Sequence, residues 1–259
     1  MSRAAYLTGI AAALALAAGA LGAAETGAPD ANWTYPVWLS PVLDLESIDK
    51  IDARLARPLE AFARIGVARE DVKGARVEVR NCLNLRELAA EGYRPDAGED
   101  AYMLGIQKTT CDALRMLKAA KPARLSYVRL FVLNGAALNH LPARIDPSIA
   151  CRADGRLPGG DLSLMSWREF QGGVEVASGR PGPLAITLRD DGEMTVRAGK
   201  AEVTFEILAR GDLDGDGYED LLMRVSRDVS RAAPGTAAVF MLTRDGPDGM
   251  LRVVDDRCR

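Results

Sequence analysis

Leu184–Asp212 reads LAITLRDDGEMTVRAGKAEVTFEILARGD. Leu184, Ile186 and Leu188 are spaced by two, and so are Val203, Phe205 and Ile207. That is the period of a strand with one face on a core, because successive side chains leave opposite faces of a sheet. Asp191-Gly192 and Gly199-Lys200 fall between the apolar runs, where tight hairpins need residues that tolerate positive φ. The stretch therefore predicts consecutive antiparallel strands. The rhythm returns in YEDLLMRVSRD, TAAVFMLTRDG and MLRVVDD. An antiparallel meander or small sandwich of about five to seven strands is expected over 124–259. Residues 134–180 are rich in Gly and Pro and set no clear period.

The first half has a different rhythm. Ile48, Ile51, Leu55, Leu59, Phe62 and Ile65 recur every three or four residues, with Ser47 placed to cap a helix and Pro58 to interrupt it. Val77 and Val79 alternate with charged neighbours, which predicts one short strand. Asn84 to Glu87 fits a capping box for a helix that ends at Gly92. A longer helix is expected from a cap at Asp100, with Met103, Ile106, Thr110, Leu114 and Leu117 on one face, stopped by Pro122. Residues 46–123 thus read as a helical region. Residues 25–45 read as an extended lead-in whose aromatics, Trp33 and Trp38, pack on the body. The fold class is α+β, helices first and the sheet after.

Between two of the predicted strands lies GDLDGDGYEDLLM, residues 211–223. Counted from Asp212, carboxylates stand at positions 1, 3, 5 and 9: Asp212, Asp214, Asp216 and Asp220. Gly217 stands at position 6, and Tyr218 at position 7 offers a backbone carbonyl. Alternate carboxylates with a glycine at the bend wrap a chain around one hard cation, and Ca²⁺ suits such a flexible oxygen cage better than Mg²⁺. Position 12 is Met223, where an EF-hand carries its bidentate glutamate, and the flanks are strands rather than helices. The stretch resembles the calcium loops of FG-GAP and VCBS-type repeats, with the pattern DxDxDGxxD between two strands. The resemblance implies that Asp212, Asp214, Asp216 and Asp220 hold the ion by side chains and Tyr218 by its carbonyl. It covers about 25 residues of the chain and one copy of the motif, so it implies a calcium site and not a propeller.

The cysteines are Cys82, Cys111, Cys151 and Cys258. No pair has CxxC spacing and the single histidine is His140, which argues against a zinc site. An even number in an exported chain reads as two disulfides. Three pairings are open, and Cys82–Cys111 with Cys151–Cys258 keeps each bond within its own half. Export is expected from residues 1–24, where Arg3 precedes an Ala/Leu-rich run that ends in Gly22-Ala23-Ala24. This is the design of a secretory signal peptide cleaved after Ala24, leaving no membrane span and a periplasmic or extracellular protein.

Thirty-three basic against 36 acidic side chains give a net charge of −3, which offers no general attraction for nucleic acid. GxSxG, HExxH and Walker patterns are absent from the sequence. His140 reads as a packing or surface residue rather than a base, and Trp167 as a core residue. The expectation is an exported, calcium-stabilised, non-enzymatic protein that binds a protein or glycan partner. The alternatives are a hydrolase using two carboxylates in a cleft, on glycan or cell-wall material, and a periplasmic inhibitor or immunity-type protein.

Overall fold

The computed structural model describes residues 34–58, 66–69, 76–95, 99–150, 165–177, 184–189, 192–199, 201–228 and 236–257. Residues 1–33, which include the segment expected to be a signal peptide and Trp33, lie outside them, as do Cys151 and Cys258. Among the described residues no helix is long and apolar enough to cross a membrane.

The alternating stretches form strands where the sequence places them. β5 (Ala185–Leu188), β6 (Met194–Ala198), β7 (Ala201–Gly211), β8 (Asp220–Asp228), β9 (Thr236–Thr243) and β10 (Arg252–Arg257) pair in succession, every neighbour antiparallel. A seventh strand comes from the lead-in: β1 (Trp38–Leu39) pairs with β7, at Arg210 and Ala209, beyond the end of β6. Trp38 does not pack as expected. It is 45% exposed, and Val37, Leu39 and Leu43 anchor this segment to the core instead.

Among the described residues, mostly helices and turns cover the two faces of this meander. One face carries Val203, Phe205, Leu221, Met223, Val225, Phe240 and Leu242. Over it lies a run of turns from Val128 to Ile145, continued by α4 (Pro147–Ala150) and α5 (Trp167–Ala177). Among the described residues from 124 onward, the first strand is β5, at Ala185. The opposite face carries Leu208, Ala209, Leu222, Val239 and Met241, and packs on α1 (Ile51–Ala56), α2 (Cys82–Ala90) and α3 (Glu99–Met116). The helical region and the sheet therefore share one core.

The switch between faces along β7 has a local cause. Ile207 pairs with Met223 but Ala209 pairs with Leu222, so Leu208 is an extra residue. Such a bulge reverses the alternation. Beyond it Ala209 joins the α1–α3 core and Arg210 emerges on the other face.

The helical region departs from expectation in its boundaries. The expected interruption at Pro58 is met, since α1 ends at Ala56; Leu59, Phe62 and Ile65 lie outside the described residues. α2 begins two residues before the expected cap, because Asn81 caps it: its Oδ1 accepts the Asn84 amide at 2.8 Å, and Asn84 Oδ1 accepts the Arg80 amide at 3.1 Å. The α2 end is as expected: Gly92, at φ +89°, donates to Ala89 O while Tyr93 donates to Leu88 O, which satisfies the last carbonyls. α3 starts at Glu99, so Asp100 is a residue of the helix and not its cap. The region holds three short strands rather than one, β2 (Gly66–Ala68), β3 (Arg76–Glu78) and β4 (Arg94–Pro95), in the order β3-β2-β4.

Cys82, at the first position of α2, is bonded to Cys111 inside α3, with Cα atoms 5.4 Å apart. Both are fully buried. The bond closes a loop with a sequence separation of 29. Restricting the unfolded chain by that much contributes about 3–4 kcal/mol.

Candidate metal centre

Residues 212–219 connect β7 to β8, the two central strands, so the turn is anchored at both ends in the core. The short carboxylates fold the turn by accepting its own amides. Asp212 Oδ1 accepts Gly215 N at 2.7 Å and its Oδ2 accepts Gly217 N at 3.1 Å. Asp214 Oδ1 accepts Asp216 N at 3.1 Å, and Asp216 Oδ1 accepts Tyr218 N at 2.7 Å. Asp residues favour such turns because the side chain mimics a backbone acceptor. Gly217 sits at φ +92°, the bend expected at position 6.

The result brings one carboxylate oxygen each from Asp212, Asp214 and Asp216 within 4.8 Å of one another. Asp212 is buried, while Asp214 and Asp216 are exposed. A cluster of this kind can hold a metal ion. Three anions at that spacing repel one another unless water or a cation separates them.

Asp220 is set apart from the other three. It is completely buried at the start of β8. Its Oδ2 accepts Leu213 N at 3.0 Å, and Thr243 donates to the same carboxylate. Oδ1 is buried with no hydrogen-bond partner. Burial pushes its pKa up to about 7; the bonds from Leu213 and Thr243 oppose this, and the charges of Asp214 and Asp216 add to it. An unsatisfied buried carboxylate oxygen is costly, on the order of 1–3 kcal/mol or more.

Tyr218 is partly exposed, and its ring stacks on Tyr127 at 5.9 Å. Met223 is a fully buried sheet residue facing Phe240, which explains why position 12 carries no glutamate. No local pattern in the sequence marks the segment that grips the turn from outside. Lys121 and Asp212 exchange backbone hydrogen bonds, Arg124 and Leu125 donate to Gly217 O, and Glu219 donates to Leu125 O at 2.7 Å. Ser126 Oγ donates to the buried Glu219 carboxylate, a contact spanning 93 residues of sequence. Arg210, placed on this side by the bulge, donates to the carbonyls of Val128 and Phe131, both at 2.6 Å. Burial lowers its pKa; Glu219 opposes the shift and the like charge of Arg129 adds to it.

His140 is half-buried, with its ring 3.4 Å from the Arg244 guanidinium. Trp167 is fully buried, edge-on to Phe205, and donates Nε1–H to Asp146 at 3.2 Å. Asp146 also accepts from Gln171 at 3.0 Å and Arg227 at 2.7 Å, so this buried carboxylate is saturated.

No family model matches the chain, and no curated protein or solved structure matches it.

Proposed function

We propose that residues 212–220 bind one Ca²⁺ as a structural clamp in an exported binding protein. The observation that carries this reading is the Asp212–Asp214–Asp216 cluster, followed in the same turn by buried Asp220, whose Oδ1 has no hydrogen-bond partner. A cation there supplies the missing partner and offsets the mutual repulsion of four carboxylates. Tyr218 adds its backbone carbonyl. All five groups are oxygen donors with no imidazole or thiolate, the chemistry of a hard ion. The turn is solvent-exposed at Asp214 and Asp216, which leaves room for the larger and more variable oxygen shell of Ca²⁺ rather than the strict octahedron of Mg²⁺. The clamp ties β7 to β8 and, through residues 121–127, fixes the start of the segment that covers the sheet. Export is supported by the Cys82–Cys111 disulfide and by the signal-like residues 1–24.

The test is thermal unfolding of the purified protein in EDTA and in excess calcium. At a calcium concentration of 100 Kd, mass action adds about 2.7 kcal/mol. That corresponds to a rise in Tm on the order of 5–10 °C for a chain of this size. The double substitution Asp214→Ala with Asp216→Ala lowers the stability and removes the calcium response. A wild-type melting curve indifferent to calcium and EDTA, or a double variant that still responds fully, sinks the reading.

A further inference from the structure

Two concavities outside the metal loop differ in electrostatics. The larger, about 550 Å³, lies on the part of the sheet beside α3 and carries Arg189, Glu193, Glu202, Glu206 and Arg224. Its charges are already matched: Arg224 pairs with Glu206, Arg189 with Glu193 at 3.0 Å, and Glu202 with Arg197 at 3.1 Å. A charged ligand gains little there.

The second, about 350 Å³, lies between residues 126–140 and the β9–β10 connection. Its described lining holds two guanidiniums, Arg129 and Arg244, beside His140, and no carboxylate. Arg244 donates to Gly249 O at 2.6 Å and Tyr127 O at 3.3 Å, both neutral acceptors that fix its position without cancelling its charge. Arg129 lies over the Tyr35 ring, 5.0 Å from its centroid. Among the described residues neither guanidinium has a carboxylate within ion-pairing distance. In a chain of net charge −3, a cavity whose only full charges are cationic selects for an anion. The remaining wall is apolar: Leu130 is 91% exposed, Val132 is 58% exposed, and Phe131 is buried beneath them. Asn134 turns its side-chain oxygen to the amides of Ala136 and Ala137, at 2.9 and 3.0 Å, which leaves its NH₂ as a further donor.

We propose that this cavity binds a small carboxylate with an apolar body, the carboxylate held by Arg244 and Arg129 and the body laid against Leu130 and Val132. Guanidinium groups match carboxylate oxygens in geometry as well as charge. The volume is at the lower end for ligand sites and fits a ligand the size of one capped residue or a short branched acid. The site belongs to the binding role proposed above but does not depend on the metal reading.

The single histidine supplies one imidazole signal at the cavity wall, readable by NMR. Sodium N-acetyl-leucine, sodium 4-methylpentanoate and the uncharged N-acetyl-leucinamide are titrated at fixed pH. The acids are expected to move the His140 signal saturably in the millimolar range, and the amide to bind at least tenfold more weakly. Arg244→Gln reduces acid affinity at least tenfold. Val132→Glu, at an exposed position, does the same by repulsion and keeps the test valid if Arg244→Gln fails to fold. N-acetyl-leucine binding tenfold tighter than 4-methylpentanoate identifies a peptide C-terminus; equal binding identifies a free acid. Absence of an acid-induced shift, equal binding of acid and amide, or unchanged affinity in Val132→Glu overturns the proposal. Titrations in calcium and in EDTA separate the two readings. Loss of binding in both overturns the cavity, whereas the metal clamp stands or falls on the melting curves.

Discussion

The two faces of the central sheet are covered in different ways. Beneath Leu222, Val239 and Met241 lie α1–α3, which satisfy their own backbone hydrogen bonds and are stapled by Cys82–Cys111. Over Phe205, Met223 and Phe240 lies a chain of turns from Val128 to Ile145 and two helices, α4 and α5. Turns cannot satisfy all their own backbone groups. This cover is therefore held by polar side chains reaching across from the sheet. Arg210 caps the carbonyls of Val128 and Phe131, Arg227 reaches buried Asp146, and Glu219 accepts from Ser126. One face is held mainly by apolar packing, with a disulfide inside its helical cover and Arg224 of β8 donating to Thr110 of α3; the other relies on more long-range polar anchors and, in the proposed reading, a cation.

The largest expected effect breaks the second kind of cover. Trp167→Ala empties a fully buried site and deprives Asp146 of a donor, at a cost of about 3–5 kcal/mol in urea unfolding. Trp167→Phe separates the two losses, since it keeps much of the volume and drops only the Nε1–H bond. The covalent side is broken by Cys82→Ala with Cys111→Ala, expected to cost about 3–4 kcal/mol from the freed unfolded chain. Reductant should lower the wild-type Tm by more than that of the double variant, which keeps Cys151 and Cys258.

A smaller effect is a pH slope at the turn. In the calcium-free protein the folded Asp220 binds its proton up to about pH 7, while the unfolded residue releases it near pH 4. The native state thus holds more protons between these values, and stability falls as pH rises through that window. From pH 5 to 7 the loss is on the order of 2–3 kcal/mol at about 1.4 kcal/mol per pH unit. Calcium should flatten the slope, because a bound cation favours the ionised carboxylate. Asp220→Asn should flatten it without calcium. A calcium-free protein equally stable at pH 5 and pH 7 contradicts the buried, unpaired state of this group. The smallest effect concerns the start of α5, where Ser166 and Glu169 bond reciprocally, with Ser166 N to Glu169 Oε2 at 2.8 Å and Glu169 N to Ser166 Oγ at 3.3 Å. Both bonds from Ser166 hold the Glu169 pKa below its ordinary value. Ser166→Ala should cost about 0.5–2 kcal/mol, visible as a small shift in the unfolding midpoint.

Much of the sheet is legible in sequence because its strands alternate locally, and hairpins at Gly192 and Gly199 set their register. The cap at Asn81 was open to misreading because Asn84, three residues on, is as good a capping residue by type. The SWRE capping box at Ser166 is a clear signal in a segment whose Gly and Pro content obscures any period. The bulge at Leu208 has no marker in sequence, since Ile207, Leu208 and Ala209 are all apolar and any of them can face a core.

The sequence by itself determined the meander and the spacing of carboxylates in residues 212–220, and it favoured, among three open pairings, the Cys82–Cys111 bond that the structure shows. Each is a short-range matter of period, spacing or loop length. Tertiary structure alone decided that Asp220 is buried with one oxygen unmatched, that Ser126 meets Glu219, and that Arg129, Arg244 and His140 share a cavity without a carboxylate. These depend on segments about a hundred residues apart being brought together by packing, and no local pattern encodes which polar groups such an approach leaves paired and which it leaves open.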